Sequence, residues 1–325
     1  MNDRQTIWQL ISRFQSLLVL ALMILAMGLL SDKFLTTANG WNIMRQISVN
    51  VCLSIGMTMV ILSGGIDLSV GSVLAFASAI TAGLVKAPIP LPWLGVELQC
   101  TALGAILAGL LVGSALGWFN GLMITRVRIP PFVATLAMLG IARGMTMLWT
   151  KGFPITGLGD EFAAIGTGSV LGIPAPVWIA AILVGVFAVV TKKTRFGRYI
   201  YAVGGNEQTA IHSGINVRRI KLLVYTLAGA LSATAGTIVI SRLNSAQPNA
   251  GLGYELDSIA AVVIGGTSLS GGRGSILGTV IGCLIIGVLN NGLVLLDVSP
   301  NWQQVVKGAV ILLAVAVDRL RQPGD

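Results

Sequence analysis

In residues 51–85 two apolar runs flank a short polar knot, Gly64-Gly65-Ile66-Asp67-Leu68-Ser69-Val70-Gly71. The runs are apolar enough for lipid, and the knot sets a carboxylate, Ser69 and three glycines between them. An ionisable group beside such sequence is costly unless it faces protein or a water-filled path. Irregular backbone at membrane depth is tolerated only in the same places. The rest of the chain is expected to hold this knot, and a related one at 265–272, around a path.

Composition fixes the class. Of 325 residues 54% are hydrophobic and 10% are charged, and the mean hydropathy is +0.86. A soluble globular chain carries roughly 25% charged residues. The reading is an all-α, polytopic membrane protein, and the 41 glycines suit close helix contact in lipid. The net charge of +9 comes from basic residues in short loops between apolar runs. That is the pattern of topology determinants, so no nucleic-acid partner is expected. Cys52, Cys100 and Cys283 lie in or at the ends of apolar segments and read as small hydrophobes. His212 is the single histidine, so no two-histidine metal motif exists and no metal or other cofactor is expected. No lysine follows a glycine, which excludes a G-K-[ST] phosphate loop. The chain is not expected to be an enzyme, and any ATP that drives it is bound by another subunit. The first apolar run, 17–30, meets Ser31-Asp32-Lys33 without a small-x-small cleavage site and reads as a retained span.

A helical span needs about 20 mostly apolar residues. Ten spans result, at about 16–31, 43–63, 69–86, 98–122, 131–149, 175–191, 220–241, 257–271, 275–293 and 302–318. Lys192, Lys193, Arg195, Arg198, Arg218, Arg219 and Lys221 place the loop between spans six and seven inside. Arg126 and Arg128 do the same for the loop after span four, Arg4 and Arg13 for the N-terminus, and Arg319 and Arg321 for the C-terminus. The four assignments agree with an even number of spans and both termini cytoplasmic. The outside loops are then 32–42, 87–97, 150–174, 242–256 and 294–301, with Pro88, Pro90 and Pro92 stiffening the second. None is large enough for a separate domain, so residues 1–325 form one transmembrane domain. The knot at 64–71 echoes G-G-T-S-L-S-G-G at 265–272. The echo is either an internal duplication, common in transporters, or two similar glycine-rich breaks.

Within this frame, Gly64, Gly65, Asp67, Ser69 and Gly71 either line the path or fix the break between spans two and three. Alternatively, Asp67 caps span three by accepting its free amides. Asn290 and Asn291 in span nine are path residues or hydrogen-bonding glue between helices. Asp67 and Arg143 are the ionisable residues expected inside the membrane, and Arg143 either snorkels or pairs with an acid. Arg242, Glu255 and Asp257 are expected to cluster at the outer ends of spans seven and eight, as surface ion pairs or as a docking surface. The inside loop 191–221 contains Gly204-Gly205, a candidate cap Asn206, a short helix over 207–213 and a stop at Gly214. Basic flanks alone set topology, but they do not require a capped helix. The loop therefore reads as a small docking knob with Ala210 and Ile211 turned to a partner.

Several long segments resemble one family. They are G-M-T-M-V-I-L-S-G-G-I-D-L-S-V-G-S at 56–72, T-R-F-G-R-Y-I-Y-A-V-G-G-N-E at 194–207, S-G-I-N-V at 213–217, L-N-S-A-Q-P-N-A-G-L-G-Y-E-L-D-S-I-A-A-V-V-I-G-G-T-S-L-S-G-G at 243–272 and N-N-G-L at 290–293. Together, over about 34–318, they resemble the permease subunits of bacterial sugar importers of the ATP-binding-cassette (ABC) class, specifically the ribose permease family. The resemblance implies an inner-membrane homodimer with a monosaccharide path between two copies of the chain. It also implies a periplasmic sugar-binding protein docked outside, where the outer position of Arg242, Glu255 and Asp257 makes them the expected contact, and a cytoplasmic ABC ATPase inside. The loop with Gly205, Asn206, Glu207, Ala210, Ile211 and Gly214 would carry the ATPase coupling helix. The competing readings are an ABC permease for another sugar or small polar solute, and an ion-coupled secondary transporter. The latter is weakened by the shortage of intramembrane acids and histidines for an ion relay.

Overall fold

The computed structural model describes residues 3–87, 89–91, 96–98 and 100–321. The stiffening assigned to Pro88 and Pro92 lies outside the described residues. Thirteen α-helices run through the described residues: α1 Asp3–Leu30, α2 Thr37–Leu62, α3 Val70–Lys86, α4 Ala102–Leu122, α5 Pro131–Thr150, α6 Asp160–Thr167, α7 Ala175–Lys193, α8 Arg195–Gly205, α9 Glu207–His212, α10 Val217–Leu243, α11 Tyr254–Ile264, α12 Ile276–Leu295 and α13 Pro300–Arg321. Short antiparallel pairs join Ile89–Leu91 to Val96–Leu98, Ile155–Thr156 to Ser245–Ala246, and Ser169–Val170 to Ile173–Pro174.

The helix starts are written locally. Thr36, Thr101, Thr194, Asn206, Asn216 and Ser275 each accept a backbone amide of the helix that follows. Such caps satisfy amides that have no partner within the helix. At the end of α4 a π-helical turn, Met123–Val127, closes on Arg128 in a left-handed conformation.

Among the described residues six helices are long and apolar enough to cross a membrane: α2, α4 with its π-turn, α5, α7, α10 and α12. Gln15–Leu30 and α3 are shorter apolar helices. The span expected at 257–271 is different. Helix α11 has 11 residues and stops at Ile264, about 16 Å of helix against a ~30 Å hydrocarbon core. Gly265, Gly266, Gly271 and Gly272 then carry the chain through irregular backbone to α12.

Helices α2 and α10 form the centre. In their apolar windows 89% and 72% of residues are buried, against 22% for α4 and α7. The central pair is wrapped by protein, while α4 and α7 turn leucines and valines outward, as a lipid-facing surface must. Along α4, Gly113, Gly117 and Gly121 lie against the α10 backbone at Gly229, Tyr225 and Leu222, leaving no room for a Cβ. Without a hydrophobic force between helices in lipid, such close backbone approach supplies the packing. A hydroxyl pair, Thr58 to Thr279 at 2.7 Å, ties α2 to α12.

Candidate functional site: a glycine junction, a returning loop and a polar pocket

At the end of the bundle where α8 and α9 sit, three glycine-rich segments meet. The Gly272 amide donates to the Leu62 carbonyl at 3.0 Å, so the 265–272 segment is bonded to the last residue of α2. Gly204, in the last turn of α8, is wedged between Leu62 and Gly272 with its Cα against both backbones. A Cβ on Gly271 would come within 2.8 Å of the Gly204 carbonyl oxygen and 3.1 Å of the Gly64 nitrogen. The Tyr201 hydroxyl donates to the Gly274 carbonyl at 2.9 Å, and partial burial raises its pKa, which keeps that donor protonated. The two echoing knots are thus brought together at one point, and α8 is fastened to both.

The first knot is held open by polar side chains. Asp67 is 2% exposed, and its Oδ1 accepts the Ser69 amide at 2.9 Å and the Ser69 hydroxyl at 2.6 Å. Ser69 Oγ in turn accepts from Asn120 of α4 at 2.9 Å. The expected cap differs in detail. Asp67 closes a turn onto the residue ahead of α3, and no side chain caps the amides inside the helix. The buried Tyr225 hydroxyl packs beside Gly65 without a hydrogen-bond partner.

The segment after α10, expected as an outside loop, instead returns into the bundle. Ser245 and Ala246 pair with Ile155 and Thr156 at the end opposite α8. Gly251 then lies against Gly71 at the start of α3, backbone to backbone. Since about 22 Å of helix separates Gly71 from Lys86, the loop reaches most of the way down α3. Arg143 of α5 holds it there, donating through Nη1 to the Pro248 and Ala250 carbonyls at 2.8 and 2.9 Å.

This return splits the expected outer cluster. Glu255 faces Gly71 and interacts electrostatically with Arg143. Asp257 is 5% exposed, pairs with Lys307 at 3.0 Å and receives a long 3.5 Å bond from Asn290. Arg242 joins Asp257, not Glu255, at the wall of a cavity of about 120 Å³. Five helices contribute polar side chains to it: Asn50 from α2, Arg242 from α10, Asp257 from α11, Asn290 from α12, and Gln303 and Lys307 from α13. The neighbouring asparagines diverge. Asn291 exchanges two amide bonds with Asn39, at 2.9 and 2.8 Å, and does not line the cavity.

In the knob, Asn206 caps α9 through the Thr209 amide at 2.9 Å, and the chain leaves through Gly214 with φ +79°. The helix ends at His212, one residue short of the expected 207–213. Glu207 pairs with Lys221 at 2.7 Å. Of the two residues expected to face a partner, Ala210 is 3% exposed and packed in the chain's own core, because the knob folds back on α10. Ile211 is 48% exposed.

Sequence reasoning overlooked Lys307, Gln303, Asn50 and Asn120, and named Gly204 only as part of the loop. A lysine within span ten was the available signal, since intramembrane ionisable residues mark function or pairing. Beside Asp67 and Arg143, the ion pair of Lys307 with the buried Asp257 is a further charged pair packed among the helices.

Comparison with known proteins places the sequence among transport permeases. A family model described as the branched-chain amino acid transport system / permease component matches residues 40–315. The ribose import permease protein RbsC of Escherichia coli K12 is 49% identical over 312 residues, covering 95% of this chain and 94% of that protein. RbsC of Bacillus subtilis 168 is 50% identical over 302 residues, covering 92% and 90%. The D-allose transport system permease protein AlsC of Escherichia coli K12 is 40% identical over 309 residues, covering 95% and 92%. No solved structure matches the chain significantly.

Proposed function

The chain belongs to the branched-chain amino acid transport system permease family, and we propose that within it the chain is the membrane permease of an ATP-driven ribose importer. It is a multi-pass protein of the bacterial inner membrane. The observation that carries the reading is the near-full-length identity of 49–50% to ribose permeases of two distant bacteria. Because the sequence has no phosphate loop, a separate ABC ATPase supplies the energy, and a periplasmic ribose-binding protein delivers the sugar.

In this reading the single domain crosses the membrane ten times with both termini cytoplasmic, and two copies flank the sugar path. The α8–α9 knob meets the ATPase, with Gly205, Asn206, Glu207 and Gly214 shaping it and Ile211 making the contact. Movement of the knob reaches the knots directly, because Gly204 is wedged between Leu62 and Gly272. Gly64, Gly65, Asp67, Ser69 and Gly71 form the break that responds, and Asn290 faces the sugar. Arg242 is next to last in α10, whereas Glu255 and Asp257 follow the loop that returns into the bundle, so Arg242 is the member of the outer charged set placed to meet the binding protein.

A strain that lacks its own ribose permease but keeps the ATPase and binding protein provides the test. Expression of this chain should restore growth on ribose as sole carbon source. Expression in the membrane without growth, and without accumulation of labelled ribose, would reject the reading.

A further inference from the structure

We propose that the cavity between α2, α10, α11, α12 and α13 is a sugar subsite contained within one copy of the chain, in addition to any path between two copies. The proposal rests on the importer reading and gives that reading a place where hydroxyl groups are held. Its depth fits a vestibule: Asn290 lies about 8 Å of helix from Leu295, and Lys307 about 10 Å from Pro300. The cavity therefore reaches inward from the end of the bundle opposite α8. Polar groups converging from five helices at that depth are expensive unless something occupies the space between them.

Asn290 supplies the specific sign. It is 7% exposed, its Oδ1 has no hydrogen-bond partner, and it lines the cavity. An acceptor left buried this way calls for a donor from a bound molecule. The wall alternates chemical character. Arg242 and Lys307 donate, Asp257 accepts, and the amides of Asn50 and Gln303 can do both. An anion would face Asp257, and a cation would face Arg242 and Lys307. A ring of hydroxyls, each both donor and acceptor, matches the whole set. The volume of about 120 Å³ is several times the ~30 Å³ share of one water and suits a neutral monosaccharide.

The test uses the complete importer in proteoliposomes, with ribose-loaded binding protein at saturation and D-ribose as the probe. Asn290→Ala should lower the number of ribose molecules moved per ATP hydrolysed by about tenfold, the loss expected when a sugar hydroxyl is left without its partner. A second readout does not depend on that variant. With Cys100→Ser as background and Cys52 and Cys283 buried, Asn50→Cys is reacted with a small methanethiosulfonate during ATP turnover. Ribose-loaded binding protein should slow the modification severalfold relative to empty binding protein. Equal rates in the two conditions mean that the cavity holds water only, and overturn the subsite. So does an Asn290→Ala importer that keeps sugar moved per ATP within twofold of the wild type. Absence of ATP-driven ribose uptake by the wild type itself removes the importer reading, a result distinguishable from both.

Discussion

The two ends of this molecule are built in different ways. At the α8–α9 end the joint is backbone on backbone: Leu62, Gly204 and Gly272 touch with no side chains between them. At the other end the cavity is built from side chains, with an ion pair, amides and a guanidinium gathered from five helices. A joint without side chains has few ways to yield, so it transmits displacement. A cavity walled by long polar side chains can adapt and hydrate, so it suits recognition. On the proposed reading, the contrast puts force transfer at one end and selection at the other.

Gly204→Ala breaks the first half of the contrast most severely. The added Cβ meets the Leu62 carbonyl and the Gly272 amide, which are backbone and cannot swing away. Ribose uptake should fall at least tenfold, while Gly205→Ala, whose Cβ meets nothing within 4 Å, should stay within twofold. Equal behaviour of the two variants in the same uptake assay would remove the joint.

Lys307→Met tests the second half. It leaves the Asp257 carboxylate buried without its cation. Removing one partner of a buried pair costs about 3 kcal/mol or more, discounted here because Lys307 is 28% exposed. Thermal denaturation in detergent should show a clear drop, and Lys307→Met combined with Asp257→Asn should recover part of it. No recovery in the double variant would mean that the pair is not what holds α11 to α13.

The first knot, beside the joint, gives a smaller effect. Asp67→Asn keeps an acceptor for the Ser69 amide, whereas Asp67→Leu leaves the amide and hydroxyl of Ser69 without it. An unpaired buried donor costs about 1–3 kcal/mol. Leucine should therefore lower the melting temperature and uptake more than asparagine does. Equal values would show that the turn does not depend on Asp67.

The smallest effect on stability belongs to the knob. Ile211→Asp sits on an exposed position and should leave folding intact while reducing co-purification of the ATPase. Ala210→Asp puts a carboxylate into the chain's own core and should lower expression first. If Ile211→Asp retains the ATPase fully, the contact lies elsewhere on the loop.

How much of this was legible in the sequence follows the same division. The knots at 64–71 and 265–272 are contiguous, and glycine beside a lone acid in apolar sequence is a local signal. The cap Asn206 and the stop at Gly214 are local too, and both lie where the residues place them. The cavity was not legible, because Asn50, Arg242, Asp257, Asn290 and Lys307 are neighbours only after five helices pack. Gly204 looked like a simple chain breaker, since nothing local reveals that its Cα touches Leu62 and Gly272. The loop after α10 was misplaced for a related reason. By span counting 242–256 read as an outside loop, and only the long-range bonds from Arg143 draw it inward.

The most direct test of the whole is labelled D-ribose uptake into proteoliposomes holding this chain, with the ATPase on the inner face and a ribose-binding protein outside. Accumulation should require ATP inside and the binding protein outside together, and should collapse when Gly204→Ala replaces the wild-type chain. Uptake that proceeds without ATP, or that follows an imposed proton or sodium gradient, would contradict an ATP-driven importer and a glycine joint that couples it.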